Sequence, residues 1–78
     1  MPRYYFDILD DDGLFADEQG MVLEDMDAAV TVARRTLSDM VRDAFENTGH
    51  ADLSIKVRDG AEGPVLLTVK LDTTLERP

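Results

Sequence analysis

The chain contains no cysteine, no tryptophan and only one histidine among its 78 residues. Without cysteine it can form neither a disulfide framework, nor a zinc–thiolate site, nor a thiol nucleophile. One histidine is too few for a multi-histidine metal site. The lack of cysteine does not identify a redox compartment, since such a chain tolerates either setting. The length allows a single small domain, because domains usually contain about 100–200 residues.

Long apolar runs are also absent. A secretory signal needs an apolar segment of about 7–15 residues, and a membrane span needs about 20. The first apolar run, at residues 4–6, ends at Asp7. We therefore expect a cytoplasmic protein that makes no membrane contact.

Basic residues are few, with 8 lysines and arginines against 17 aspartates and glutamates, and the formal net charge is −9. Residues 1–27 hold nine acids and one base, which gives that segment a charge of −8. Such a surface repels nucleic acid and attracts basic proteins, so we expect no nucleic-acid partner. We call the acids of the first two turns the acidic lobe; they are Asp10, Asp11, Asp12, Asp17 and Glu18.

Alternation of apolar and polar residues predicts strands at residues 3–9, 53–58 and 65–71. The last two are joined by the glycine-containing segment 59–64, which is typical of a hairpin loop. Residues 14–23 contain two further short extended pieces. The pattern leaves open whether these pieces form one bent strand or two.

The apolar spacing changes to steps of three and four between Met26 and Glu46, which predicts a long helix. Asp25 is the expected N-cap, and Gly49 is suited to the left-handed residue that ends a helix. The predicted inward stripe is Met26, Val30, Ala33, Leu37, Met40, Val41 and Ala44. The sequence therefore predicts an α+β fold with the order β-β-α-β-β. One helix packs on one face of a small antiparallel sheet of three to four strands. The domain covers residues 1–71, and residues 72–78 form a frayed tail.

Candidate catalytic and metal-binding residues do not form a recognisable set. If Gly13 occupies the sixth position of a calcium loop, positions one and twelve fall on Ile8 and Gln19, where acidic ligands are required. Weak divalent binding by the acidic lobe and a simply solvated acidic turn both stay open. Asp7 lies on the strand face opposite the apolar residues, so we expect it to be exposed, and His50 is expected in a surface loop. We therefore predict no enzymatic activity and no cofactor.

One face of the predicted sheet carries both basic and apolar side chains. Strand parity directs them away from the helix, and we call this set the open face: Tyr5, Leu9, Lys56, Arg58, Leu66, Thr68 and Lys70. Such a mixture is compatible with an ordinary solvated face, with single-strand binding or with a protein contact. The favoured function is a non-catalytic protein-interaction or regulatory module. The alternative is an acidic neutralising partner, antitoxin-like or a nucleic-acid mimic, that binds a basic protein.

The small size of the core also predicts a homodimer. About a dozen large apolar side chains face inward, and domains below roughly 80 residues often need association for stability. Two surfaces are available for pairing. One is an unpaired edge strand, and the other is the open face around Tyr5, Leu9 and Leu66.

Several segments together resemble a known family. They are the opening Met1–Asp7, the Asp17–Gly20 turn, Leu23–Met26 before a long helix that starts with Ala28–Ala29, Val57–Asp59 and Val65–Val69. In combination they resemble a family of short proteins, frequent in rhizobia and related alphaproteobacteria, that is described as a domain of unknown function. The resemblance covers residues 1–71 and implies no activity, cofactor or site residue.

Overall fold

A computed structural model describes residues 1–60 and 63–77. Its elements in chain order are β1 (Arg3–Asp10), β2 (Gly13–Phe15), β3 (Met21–Val22), α1 (Met26–Thr48), β4 (Ala51–Arg58) and β5 (Val65–Leu71). The α+β prediction and its element order are confirmed. The extended pieces within residues 14–23 form two separate short strands. Two residues of the predicted β4–β5 loop, 61 and 62, and the last tail residue, 78, lie outside the described residues.

The sheet is antiparallel, with the strand order β2-β1-β4-β5, and β3 pairs with the beginning of β1. β2 pairs with residues 8–10 of β1, and β3 pairs with residues 3 and 4. The segment Tyr5–Asp7 on that edge of β1 therefore has no strand beside it in the described part of the chain. β5 pairs with β4 over its whole length and forms the opposite edge.

The helix begins and ends where its capping residues predict. Asp25 Oδ1 accepts a hydrogen bond from the Ala28 N–H at 2.8 Å, which satisfies one of the free amides of the first turn. Gly49 adopts the left-handed conformation, and its N–H donates to the Phe45 carbonyl at 2.8 Å. Beyond the helix, Thr73 Oγ1 donates to the Gly49 carbonyl at 2.8 Å. The beginning of the tail is therefore attached to the end of the helix.

The core lies between α1 and the β4–β5 half of the sheet. Ala29, Ala33, Leu37 and Val41 are buried on the helix, at a spacing of four that places them in one stripe. Of these four, Ala29 was not in the predicted stripe. On the sheet side, Ile55 and Val57 of β4 are the largest fully buried side chains described. α1 packs mainly on β4 and β5 and only marginally on β1. No helix among the described residues has the length and apolar character needed to cross a membrane.

Candidate interaction surfaces

Strand register places all seven predicted residues of the open face on the same side of the sheet. Tyr5 lies opposite Arg58, and Lys56 lies opposite Leu66. Leu9 and Thr68 lie on either side of Ser54, whose hydroxyl is 3.1 Å from that of Thr68. Lys70 completes the set opposite Asp52. The seven side chains therefore share one face of the sheet, although they differ in how accessible they are.

Leu9 and Leu66 are the most accessible apolar side chains among the seven residues. Leu66 is 61% exposed and Leu9 is 48% exposed, while Lys56 and Lys70 are also exposed. β1 and β5 are separated by β4, so the two leucines lie on different strands near opposite sides of the sheet. This part of the open face is free to contact another molecule.

Asp7 belongs to the same face, but the expectation that it is exposed was wrong. Only 8% of the residue is accessible. Arg58 donates to it through Nε at 2.8 Å and Nη2 at 3.3 Å, and the Asp17 N–H donates to Asp7 Oδ1 at 2.9 Å. Strand parity identified the face correctly, but the turn that begins at Asp17 folds back over that face. A buried carboxylate requires partners of this kind, because an unpaired one is costly.

Asp17 fills the gap between the pairing of β2 and that of β3 along β1. Its Oδ2 accepts from the Phe6 N–H at 3.1 Å, in the segment of β1 that lacks a neighbouring strand. Its Oδ1 accepts from the Gln19 and Gly20 N–H groups at 3.1 and 3.0 Å. One carboxylate therefore replaces a missing strand and also closes its own turn, a role typical of Asp in turns.

Arg58 connects these groups to the open face. Its Nη2 donates to the Asp17 carbonyl at 3.1 Å, and its guanidinium carbon lies 4.7 Å from the centre of the Tyr5 ring. That distance is within the range of a cation–π contact. The charge of Arg58 is therefore neutralised by Asp7, and its Nε and Nη2 groups donate within the chain. Lys56 and Lys70 are exposed, and 42% of the Arg58 side chain is accessible beside its contact with Asp7.

The pKa values of both aspartates are lowered by these contacts. Hydrogen bonds from Arg58 lower the pKa of Asp7, against the opposing effect of burial, and the Asp17 N–H lowers it further. The N–H groups of Gly20 and Phe6 lower the pKa of Asp17. Both groups are charged at neutral pH and hold their own chain together. Neither has the raised pKa that a general acid requires.

The Asp17–Gly20 turn also requires its glycine. Gly20 has a φ of +70°, and a Cβ at this position would lie 2.8 Å from the Tyr4 carbonyl oxygen. Arg3 Nη1 holds the same turn by donating to the Gln19 carbonyl at 2.8 Å. This explains physically why one segment combines an aspartate with a glycine three residues later. The sequence contained one further signal of the network, since Asp7 and Arg58 are opposite charges on the same face of the predicted sheet.

In the rest of the acidic lobe, Asp11, Asp12 and Glu18 are exposed and Asp10 is half-buried. Asp10 Oδ1 accepts from the Asp12 N–H at 2.8 Å, so it shapes the turn locally. His50 Nδ1 lies 3.5 Å from Asp72, and its Nε2 lies 3.9 Å from Asp11. Within residues 1–60 and 63–77, no group of three or more histidine and carboxylate side chains is arranged to hold a metal ion.

The outer edge of β5 differs from the outer edge of β1. β5 pairs with β4 on one side, and no strand of the described chain lies on its other side. A cleft runs between α1 and β5, lined by Arg34, Leu37 and Ser38 from the helix and by residues 67–69 from the strand. β5 has the sequence VLLTVKL, with Lys70 as its one charged residue.

Residues 3–72 match the family model of DUF6894, a domain of unknown function. No curated protein and no solved structure matches the chain. The matched segment extends from the first residue of β1 to the residue after β5, so it includes the whole sheet, the helix and the Asp7–Asp17–Arg58 network. The chain therefore belongs to the DUF6894 family.

Proposed function

We propose that this chain is a non-catalytic protein-interaction or regulatory module of the cytoplasm, and that its open face contacts a protein partner. The observation that carries the proposal is that charged groups on that face are paired with each other, while apolar groups on the same face are exposed. Asp7 and Arg58 are paired with each other, whereas Leu9 and Leu66 are about half or more exposed. Exposed apolar groups bordered by polar ones are common at protein contacts.

The charge of the accessible groups indicates the chemistry of the partner. Lys56 and Lys70 are exposed on the open face, while Arg58 is neutralised within the chain. A matching surface presents apolar side chains to Leu9 and Leu66 and carboxylates to the two lysines. Electrostatic complementarity of this kind increases the association rate and the selectivity, while the apolar contact supplies most of the affinity.

The test is affinity capture from native cell extract with wild-type protein and two matched variants. Leu9→Lys places a charge in the proposed contact, and Leu75→Lys makes the same change at a leucine that is 76% exposed in the tail. We expect wild type and Leu75→Lys to retain the same partner in about 0.5 M salt, where surface charges are screened. Leu9→Lys should lose it. Equal retention by all three proteins would contradict the proposal.

A second candidate function is supported by the exposed acidic lobe. The Asp11 side chain is 76% accessible, and the −8 charge of residues 1–27 favours a basic protein. Such a partner would be captured in low salt and released as the salt rises. Replacing Asp11 and Asp12 by Asn should then abolish capture, while Leu9→Lys should leave it unchanged. The same experiment therefore separates the two functions.

A further inference from the structure

We propose that two copies of this chain pair through β5, in an antiparallel arrangement that joins their sheets. This inference concerns the edge of the sheet and does not depend on the partner proposed for the open face. β5 has seven residues, six of them uncharged, and no proline or bulge interrupts its pairing with β4. Natural edge strands usually carry charges, prolines or covering segments that prevent pairing.

Charge distribution favours this edge over the other one. In the joined sheet, β2 and the acidic lobe of each copy lie at the far ends, because β2 and β5 are the two ends of the strand order. Eight strands at about 4.8 Å spacing separate the β2 strands by roughly 34 Å. This exceeds the Debye length of about 8 Å at physiological salt, so the acidic lobes do not repel each other strongly. Pairing through β1 would bring them together.

The length of β5 indicates the register. A two-fold axis through Thr68 pairs all residues from Val65 to Leu71, whereas an axis through either neighbour leaves residues at one end unpaired. In this register Thr68 faces its own symmetry mate and Leu66 faces Lys70 of the other copy. On the helix side, Leu67 faces Val69 of the other copy. Both are partly buried beside the cleft under α1, so pairing extends the apolar layer across the axis.

The exposed area of the monomer is large for its mass. It measures 5664 Å², compared with about 4,700 Å² for a typical compact protein of this size. The extended tail contributes to the excess, and so do exposed apolar side chains on β5 such as Leu66 and Leu71. A typical interface removes about 800 Å² from each partner. Association through β5 therefore covers surface that the small core of one copy leaves exposed.

The decisive experiment is cysteine crosslinking, because the natural chain has no cysteine background. Thr68→Cys places two thiols opposite each other across the axis, where the Cα separation in an antiparallel pair is about 4.5–5.5 Å and suits a disulfide. Leu66→Cys places its two thiols more than about 10 Å apart along the strands. Under mild oxidation we expect a covalent dimer from Thr68→Cys and little from Leu66→Cys or from the tail control Leu75→Cys.

Light scattering on a size-exclusion column gives an independent readout. We expect the wild-type mass to rise from 8.7 kDa towards twice that value with concentration. Leu66→Lys opposes Lys70 of the other copy at both ends of the pairing and should weaken dimerisation by about tenfold, whereas Leu66→Glu should preserve it. Circular dichroism confirms that each variant is folded.

Three results would overturn the inference. They are a constant mass of 8.7 kDa up to millimolar protein, equal weakening by both Leu66 variants, and crosslinking at Leu66→Cys in preference to Thr68→Cys. Leu9→Lys should leave the dimer unchanged, since Leu9 is on β1, away from this edge. Loss of the open-face partner with an intact dimer, or the reverse, therefore distinguishes the two proposals.

Discussion

An edge strand presents backbone N–H and C=O groups that no neighbouring strand pairs, and the two edges of this sheet differ in how those groups are covered. At the β1 edge, β2 and β3 cover the two ends of the strand, and the Asp17 carboxylate accepts the Phe6 N–H between them. At the β5 edge, the described chain supplies no covering strand. In a short chain, one carboxylate between two very short strands can therefore complete one edge, while the other edge has no covering strand among the described residues.

The largest expected effect concerns the core that supports the β5 half of the sheet. Leu37 is 4% exposed and packs between α1 and the sheet. Leu37→Ala should lower the free energy of unfolding by about 2–5 kcal/mol, because it removes buried methyl groups and leaves a cavity. The measurement is urea denaturation at pH 7. Leu75→Ala, in the exposed tail, should change stability little, and an equal loss in both variants would show that the helix stripe is misassigned.

The β1 edge can be broken by removing its carboxylate. Asp17→Ala deprives three backbone N–H groups of their acceptor, and one of these donors belongs to β1. We expect a loss of about 2–3 kcal/mol in the free energy of unfolding. The matched control is Asp25→Ala, which removes one accepted N–H at the helix N-cap and should cost about 1 kcal/mol. If Asp25→Ala costs as much as Asp17→Ala in the same denaturation experiment, the special role of Asp17 is refuted.

Two glycines with positive φ allow the turn beside β1 to be compared with the segment after β4. Gly20 and Gly60 have φ values of +70° and +87°, so alanine at either position should cost about 1–2 kcal/mol of conformational free energy. At Gly20 the new Cβ also meets the Tyr4 carbonyl oxygen at 2.8 Å, whereas at Gly60 it would have no atom within 4 Å among the described residues beyond its chain neighbours. Thermal unfolding should therefore show a larger loss for Gly20→Ala, by at least about 1 kcal/mol. A smaller loss at position 20 than at position 60 would contradict this geometry.

The Asp7 carboxylate on the β1 side should make the stability of the protein depend on pH, and this effect should be smaller than those of the substitutions above. The folded-state pKa of Asp7 is below its ordinary value, so its contribution is complete above an unfolded-state pKa of about 3.9 and is lost as the pH falls through the folded value. Asp7→Asn should therefore destabilise the protein by about 1–2 kcal/mol at pH 7. The difference from wild type should shrink below about pH 4. A constant difference between pH 7 and pH 3 in urea denaturation would refute the assignment.

The sequence predicted those parts of the molecule that depend on local patterns. Regular alternation indicated β5 with its observed bounds, and Asp25 and Gly49 marked the ends of the helix because capping depends on neighbouring backbone groups. The burial of Asp7 could not be predicted in this way. Strand parity reports which face a side chain occupies, but not which distant segment covers that face.

The role of Asp17 and the edge position of β5 also could not be predicted from local sequence patterns. Asp17 is one of nine acids in residues 1–27, and only its position beside the uncovered segment of β1 distinguishes it from the exposed ones. The pattern of β5 predicts a strand but does not state whether that strand is central or at an edge. Both features arise from strand order, which brings together residues that are far apart in the chain.

Amide hydrogen exchange at several protein concentrations tests the difference between the two edges most directly. The Phe6 N–H is bonded to Asp17 within one chain, so its protection should not depend on concentration. In β5, the N–H groups that point away from β4 should exchange fast in dilute protein and become protected as concentration rises. Exchange of those β5 amides at one rate across all concentrations, or a Phe6 amide without protection, would contradict the account.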